Sequence, residues 1–240
     1  MQDRYTGDIG DYVKYALLRA LGCDHQIGVA WYRYPDEAHN TDGRHVSYLH
    51  QPKQWESFDH ELYAGLQDVV AAGGRSVAAI EDSGLIPDAV FSNELLACNE
   101  TSAPRRAAWR RSWFDRVKDD LKESSLVFAD PDNGLCPDDR FHWGGTKSWK
   151  RLPLSEAISL SAGRTAVIYH HNSRYPGGHR LEIDRWMKAL PGCSIALYWR
   201  RFSNRTFFVT NPDPRTVHSL HWFAARWEIG CELIERPAET

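Results

Sequence analysis

The sequence predicts a three-layer α/β domain with a mostly parallel sheet and an antiparallel hairpin near its carboxyl end. Short apolar runs alternate along the chain with segments whose apolar residues recur at helical spacing. Two of these runs, 125–129 and 165–169, are apolar almost throughout, as expected for strands buried on both faces of a parallel sheet. No linker or internal repeat divides the 240 residues, so we expect one α/β domain over 1–240.

The first half of the chain predicts two strands and three helices. Ile9, Val13 and Leu17 recur at helical spacing and predict a helix over 9–21, which Gly22 ends. The expected elements that follow are a strand over 27–32, a helix over 59–72, a strand over 76–80 and a helix over 104–122. This alternation is typical of α/β folds.

The second half predicts strands over 125–129 and 165–169 with a short helix between them, near 154–158. A helix near 183–190 comes next, followed by strands over 194–199 and 206–210 and a final helix. A short turn at Ser203-Asn204 separates the last two strands, so we expect them to form an antiparallel hairpin.

Composition indicates a soluble, cytoplasmic protein. The first residues lack a basic stretch followed by an apolar run, and no window approaches the ~18 consecutive apolar residues of a membrane span, so we expect no membrane partner. The five cysteines are scattered and form no C-x-x-C pair, which fits a reducing compartment. A net charge of −3 argues against coating nucleic acid by bulk charge.

A local basic surface is nevertheless predicted. In the helix over 104–122, Arg106 and Arg110 lie one turn apart with Trp109 beside them. Arginines interleaved with aromatic rings suit phosphate contact and base stacking, so nucleic acid (DNA or RNA) is the expected partner. The alternative is an ordinary solvated helix face.

The strand over 125–129 ends in Asp130-Pro131-Asp132-Asn133-Gly134, the first candidate catalytic segment. Ligands of open α/β sheets bind at the carboxyl ends of the strands, and neighbouring carboxylates can divide acid and base roles. Asp130, Asp132 and Asn133 are therefore candidate catalytic residues. The alternative is a turn that caps the next element.

The strand over 165–169 ends in a second polar segment, Tyr169 to Arg174, which contains His170, His171 and Asn172. Adjacent histidines on a strand point to opposite faces, so only one of the two is expected to join a given site. A zinc site would need a third ligand that the sequence does not identify, and we expect no metal. One histidine is a candidate acid/base; Tyr169, Asn172 and Arg174 are candidate substrate contacts.

Aromatic and basic residues near the amino end complete the predicted site. Lys14 and Tyr15, on the first helix, are candidates to reach a phosphate or a base, while Asp8 suits a helix cap. Trp31 and Tyr32 follow the first strand and are candidates to stack on a planar ring.

These features together resemble the class I AdoMet-dependent methyltransferases, and in particular the J-type 23S rRNA adenine-N6 methyltransferases. The segments that carry the resemblance are Asp8 to Tyr15, Asp130-Pro131-Asp132-Asn133, Tyr169 to Arg174 and Asn211-Pro212-Asp213. The resemblance implies a methyltransferase-like fold, AdoMet as cofactor and a target base bound at Asp130. The family has a glycine-rich turn after its first strand, whereas residues 31–37 contain no glycine.

Without that turn we expect no cofactor, and hydrolysis becomes the leading hypothesis. It describes an N-glycosylase-like enzyme acting on a flipped-out nucleotide, a chemistry that would suit modified bases in phage defence. Alternatives are an AdoMet-dependent adenine-N6 methyltransferase and a non-catalytic nucleic-acid-binding protein. A metal-dependent nuclease using Glu81, Asp82, Asp130 and Asp132 is a further alternative.

Overall fold

The computed structural model describes residues 1–37, 43 and 45–236. The helices are α1 (Ile9–Gly22), α2 (Pro52–Trp55), α3 (His60–Ala71), α4 (Val77–Ser83), α5 (Ala103–Asp120), α6 (Leu154–Leu160), α7 (His179–Ala189) and α8 (Pro214–Arg226). The strands are β1 (Ile27–Ala30), β2 (Val90–Ser92), β3 (Leu126–Ala129), β4 (Leu135–Cys136), β5 (Leu152–Pro153), β6 (Thr165–His171), β7 (Cys193–Trp199), β8 (Arg205–Thr210) and β9 (Cys231–Glu235).

Seven strands form one mixed sheet in the order β2-β1-β3-β6-β8-β7-β9. The first four strands in this order run parallel, and β8 is antiparallel to both β6 and β7. The antiparallel hairpin expected at the carboxyl end is thus confirmed, and five of the seven strands run in one direction. β4 and β5 form a separate two-stranded ribbon.

Helices cover both faces of the sheet. Leu17 of α1, Leu62 of α3 and Leu220 of α8 share one buried cluster with Phe128 of β3. Val127, the residue of β3 that precedes Phe128, belongs to a second cluster on the opposite face, with side chains of α5, α6 and α7. Successive strand residues point to opposite faces, and both faces are buried, which explains why β3 is apolar throughout.

The segment 76–80, predicted as a strand, instead begins α4. The Ser76 hydroxyl accepts a hydrogen bond from the Ala79 amide at 3.1 Å and caps the helix. Val77 and Ile80 are buried three residues apart, which is helical spacing. The cap and this spacing outweigh the preference of the β-branched Val77 and Ile80 for a strand. β2 and β9, both at the edges of the sheet, were not predicted.

The sheet brings the polar strand ends together. Ala30, at the end of β1, pairs with Ala129 of β3, and Ala129 pairs with Ile168 of β6. The residues after these positions therefore lie side by side at one edge, where parallel sheets bind ligands. In the described part of the chain, no helix has the length and apolar character needed to cross a bilayer.

Candidate active site

A cavity of about 190 Å³ lies at this carboxyl edge of the sheet, between the strand ends and the start of α1. Its wall combines acidic, basic and aromatic side chains, including Asp8, Asp11, Lys14, Asp130, Asp132, Asn133, Tyr169, His171 and Arg205. The two strand-end segments singled out in the sequence thus meet in one cavity, and the first helix adds the remaining charges.

The amino end of α1 is fixed at the cavity by Asp8. The Asp8 carboxylate accepts hydrogen bonds from the amides of Gly10 (2.7 Å) and Asp11 (3.1 Å), which is the geometry of a helix cap. Burial raises the pKa of Asp8, while the Arg205 guanidinium opposes that shift. With the helix held here, Asp11 and Lys14 lie one turn apart on the side that faces the strand ends.

Lys14 forms the electrostatic centre of the cavity. Its Nζ lies 2.9 Å from Asp11 Oδ1 and 2.8 Å from Asp130 Oδ2, and the three side chains are at most 5 % exposed. Burial opposes the charge of Lys14, but Asp11 and Asp130 outweigh it and raise the Lys14 pKa. The lysine is therefore a permanent cation that holds two carboxylates in place.

Asp130 lines the cavity and is held there by Lys14. Oδ2 is taken by Lys14, and within the described ranges Oδ1 accepts no hydrogen bond. Burial raises the pKa of Asp130, and Lys14 counteracts this effect. One oxygen is thus anchored, which leaves the other to contact a ligand.

The two tyrosines predicted to contact substrate occupy different places. The Tyr169 ring lines the cavity with its centroid 5.3 Å from Lys14 Nζ, and burial raises its pKa to about 12. Tyr15 is completely buried and packs edge-on against Trp31 at 6.1 Å. Tyr169 is therefore available to a ligand, whereas Tyr15 supports the wall from behind.

The rest of the Asp-Pro-Asp-Asn-Gly segment forms a rigid turn. Asp132 Oδ2 accepts a hydrogen bond from Gln2 Nε2 at 2.7 Å and lies 3.5 Å from Lys150 Nζ. Gly134 has a φ of +75°, and a Cβ there would lie 2.4 Å from His170 Nδ1. This close approach, together with the positive φ, requires glycine. Asn133 is exposed at the cavity rim.

The two histidines lie on opposite faces, as predicted, and only His171 lines the cavity. His170 Nδ1 accepts a hydrogen bond from the Leu135 amide at 2.9 Å, and its Nε2 lies 3.2 Å from Glu182 Oε1. Burial lowers the His170 pKa against the opposing effect of Glu182. His170 thus ties β6 to the turn after β3 as a neutral ring.

Asn172 is a structural residue. It is buried, accepts a hydrogen bond from the Thr206 hydroxyl at 2.8 Å, and donates one to Glu182 at 3.2 Å. Arg174, by contrast, is exposed and lies at a second, neighbouring cavity.

The expected basic surface on α5 is not formed by Arg106 and Arg110. Arg110 is fully buried, with its guanidinium 2.7 Å from Glu156 Oε2. Arg106 donates to backbone carbonyls, including that of Gly144 at 2.7 Å. The prediction is wrong for Arg110, because the buried acid that pairs with it lies 46 residues away and gives no local signal.

Trp31 and Tyr32 are also wholly buried and are not placed to stack on a ligand. The Trp31 indole donates to Glu81 at 2.7 Å, and the Tyr32 hydroxyl donates to Glu156 at 2.8 Å. Glu81 is therefore engaged away from Asp130, contrary to the arrangement that the nuclease alternative requires.

The turn after β1, where the methyltransferase resemblance would place AdoMet, is packed against residues 1 and 2 of the chain. The amino group of Met1 donates to the carbonyls of Trp31 (3.1 Å) and Tyr32 (3.0 Å), so Met1 and Gln2 fill the space beside this turn. Both aromatic side chains point into the core, and Tyr32 adopts a φ of +42° without being glycine. The backbone of this turn thus packs against the first residues of the chain.

Sequence reasoning missed several residues of the cavity, among them Asp8, Asp11 and Arg205. The sequence predicts only a capping role for Asp8, and it identifies neither Asp11 nor Arg205 as a candidate site residue. Arg205 is in fact 6 % exposed, and a Cβ on Gly10 would lie 1.2 Å from its Nη1. Gly10, two residues after the Asp8 cap, was the signal in the sequence that could have indicated Arg205, because a glycine there allows another segment to approach closely.

No protein-family model matches the sequence, and no curated protein is detectably similar to it. Among the described residues, no group of three or more histidine, cysteine, aspartate or glutamate side chains is arranged to bind a metal ion.

Proposed function

We propose that this chain is a hydrolase that cleaves the N-glycosidic bond of a nucleotide in a nucleic acid. The observation that carries the proposal is Asp130, which lines a small cavity and has one carboxylate oxygen anchored on a buried lysine. A fixed carboxylate of this kind stabilises the positive charge that develops on the sugar as the bond breaks.

The surrounding groups suit the remaining parts of the reaction. Water adds to C1′ as the C1′–N bond breaks; the departing base takes up a proton from the protein, and the proton that the water loses restores the proton donor. Asp130 stabilises the oxocarbenium-like sugar and orients the water. His171 lines the same cavity and supplies the proton, since imidazole exchanges protons near neutral pH. The Tyr169 ring is the aromatic surface against which the extruded nucleotide packs.

A methyltransferase-like ancestry is compatible with parts of the fold. The strand ending in Asp-Pro and the closing hairpin, on which the resemblance rests, occur as β3 and as β7 with β8. The occupied turn after β1 argues against the methyl-donor reaction. We therefore propose the scaffold as methyltransferase-like and the chemistry as hydrolytic.

The test is release of free base from oligonucleotides that contain ordinary and modified bases, followed by chromatography. Wild type is expected to release base, and Asp130→Asn to reduce the rate at least ~100-fold. Asp184→Asn is the control, because Asp184 is half-exposed on α7 and pairs with Lys188. No base release from any substrate by the wild type would refute the proposal.

Two parallel measurements separate the alternatives. Calorimetric titration with AdoMet and S-adenosylhomocysteine is expected to show no binding, and clear binding of either would favour the methyltransferase. Oligonucleotide binding that persists without base release, in wild type and Asp130→Asn alike, would favour a non-catalytic binding protein.

A further inference from the structure

A second cavity, of about 640 Å³, adjoins the active-site cavity. Asn133 and His171 line both, so the two spaces meet at these residues. Arg140, Arg151 and Arg174 contribute to the wall of the larger one. Arg185 of α7 is the fourth arginine in this wall.

These four arginines have no carboxylate partner within 4 Å in the part of the chain that the structure describes. Other arginines of the fold do pair with a carboxylate, as Arg116 does with Glu94 and Arg180 with Glu232. The difference leaves a concentration of positive charge around one cavity. Guanidinium groups left unpaired in this way suit oxyanions, which they bind through paired N–H donors.

The carboxylate in this wall, Glu182, offsets only part of that charge, and its oxygens are already engaged and do not pair with the arginines. The Glu182 carboxylate accepts hydrogen bonds from the Ser173 amide, the Ser173 hydroxyl and Asn172, and it lies 3.2 Å from His170 Nε2. It is also nearly inaccessible, with its side chain 3 % exposed.

Packing also restricts the orientation of Arg185. Its guanidinium carbon lies 5.6 Å from the Tyr175 ring centroid and 5.3 Å from that of Trp186. The arginines belong to three separate parts of the chain: Arg140 and Arg151 lie between β4 and β5, Arg174 follows β6, and Arg185 is on α7. Their convergence is a product of the fold and not of one basic stretch.

We propose that this second cavity, the arginine cavity, binds the phosphate groups of the substrate nucleotide. The identity of the nucleotide rests on the proposed function, whereas the anion-binding property does not. The substrate class is accordingly a phosphorylated nucleotide, free or within a strand, and not a free nucleoside. The sugar and base enter the smaller cavity past Asn133 and His171, while the phosphates remain on the arginines.

The test uses calorimetric titration of the full chain with pyrophosphate, a nucleoside, its 5′-triphosphate and a 12-nucleotide single strand. Phosphorylated ligands are expected to bind and the nucleoside to bind at least 10-fold more weakly. Arg174→Gln and Arg185→Gln are each expected to weaken binding about 10-fold and to reduce the salt dependence. Arg180→Gln, on α7 but paired with Glu232, is the matched control and is expected to change nothing.

The two sources of phosphate give different patterns. Binding of the triphosphate but not the single strand assigns a free nucleotide, and binding of the single strand assigns a nucleic acid. Failure of every phosphorylated ligand to bind, or binding unaffected by both arginine substitutions, would overturn the inference. Binding that depends on the arginines but is not accompanied by base release would support the phosphate-binding cavity and refute only the proposed glycosidase activity.

Discussion

Replacing Lys14 by methionine tests whether the charges of the cavity are a buried network or a surface feature. The substitution keeps the length of the side chain up to Cε but removes the Nζ cation that lies between Asp11 and Asp130. Removing one partner of a buried ion pair costs roughly 3–5 kcal/mol of unfolding free energy. With a urea m-value of about 3 kcal/mol per molar, the unfolding midpoint should fall by about 1–1.7 M.

The loss of unfolding free energy in Lys14→Met should depend on pH, and the direction of this dependence follows from the pKa of Asp130. Burial already raises the pKa of Asp130 and Lys14 opposes it, so the variant raises that pKa further above the unfolded value. An acid with a raised folded-state pKa destabilises the protein above that pKa and ceases to do so as pH falls through it. The variant should therefore lose more stability at pH 8 than at pH 5.

Urea unfolding of both proteins, followed by tryptophan fluorescence at the two pH values, provides the measurement. Lys118→Met is the matched control: Lys118 pairs with Asp115 at 2.9 Å on the exposed side of α5, so its replacement should cost less than about 1 kcal/mol. A cost for Lys14→Met below about 1 kcal/mol at pH 8, or an equal cost at both pH values, would refute the argument.

Three further substitutions probe the walls of the site. Burial acts to raise the pKa of Glu182, but hydrogen bonds from its neighbours outweigh this effect and lower the pKa to about 2. The wild type should therefore have a free energy of unfolding about 2–3 kcal/mol higher than that of Glu182→Gln at pH 6. Urea titrations should show that this difference disappears as the pH falls towards 2. In thermal unfolding, Gly134→Ala should lower the free energy of unfolding by at least ~2 kcal/mol more than Gly163→Ala does. Both glycines have a positive φ, but of the two only Gly134 has backbone atoms within 3 Å of an added Cβ. Equal losses would contradict this reasoning. Gly10→Ala should displace the Arg205 guanidinium and reduce base release at least 10-fold with little loss of stability; unchanged release would show that Arg205 has no part in the reaction.

Elements with a strong local period could be predicted from the sequence. The helix predicted over 9–21 is α1, and the apolar run at 125–129 is β3, because both are fixed by contacts that repeat every few residues. β2 could not be found this way. It is a three-residue edge strand, half exposed, and it exists because β1 offers it hydrogen bonds, which the local sequence does not encode.

The same difference separates the parts of the site that were predicted from those that were not. Polar residues after buried strands identified Asp130 and the histidine pair, since the end of a parallel strand is a general location for ligands. Two facts decide which histidine lines the cavity: the alternation of side chains along the strand, and the face of the sheet on which α7 packs. Only the structure supplies that second fact.

Charge pairing over long sequence distance explains the remaining errors, and it also supports the assignment of the cavity. Lys14 and Asp130 are 116 residues apart, and Arg110 and Glu156 are 46 apart, so neither pair has a local signature. The two buried pairs differ in what surrounds them: Arg110 and Glu156 are enclosed by Tyr32 and the α5 core, whereas Asp130 borders an open cavity. Arg110 Nε, Arg110 Nη1 and Glu156 Oε1 have no hydrogen-bond partner among the described residues, but they are enclosed in the core, out of reach of a ligand. Asp130 instead lines a cavity, and this difference in access selects Asp130 over Glu156 as the reactive acid.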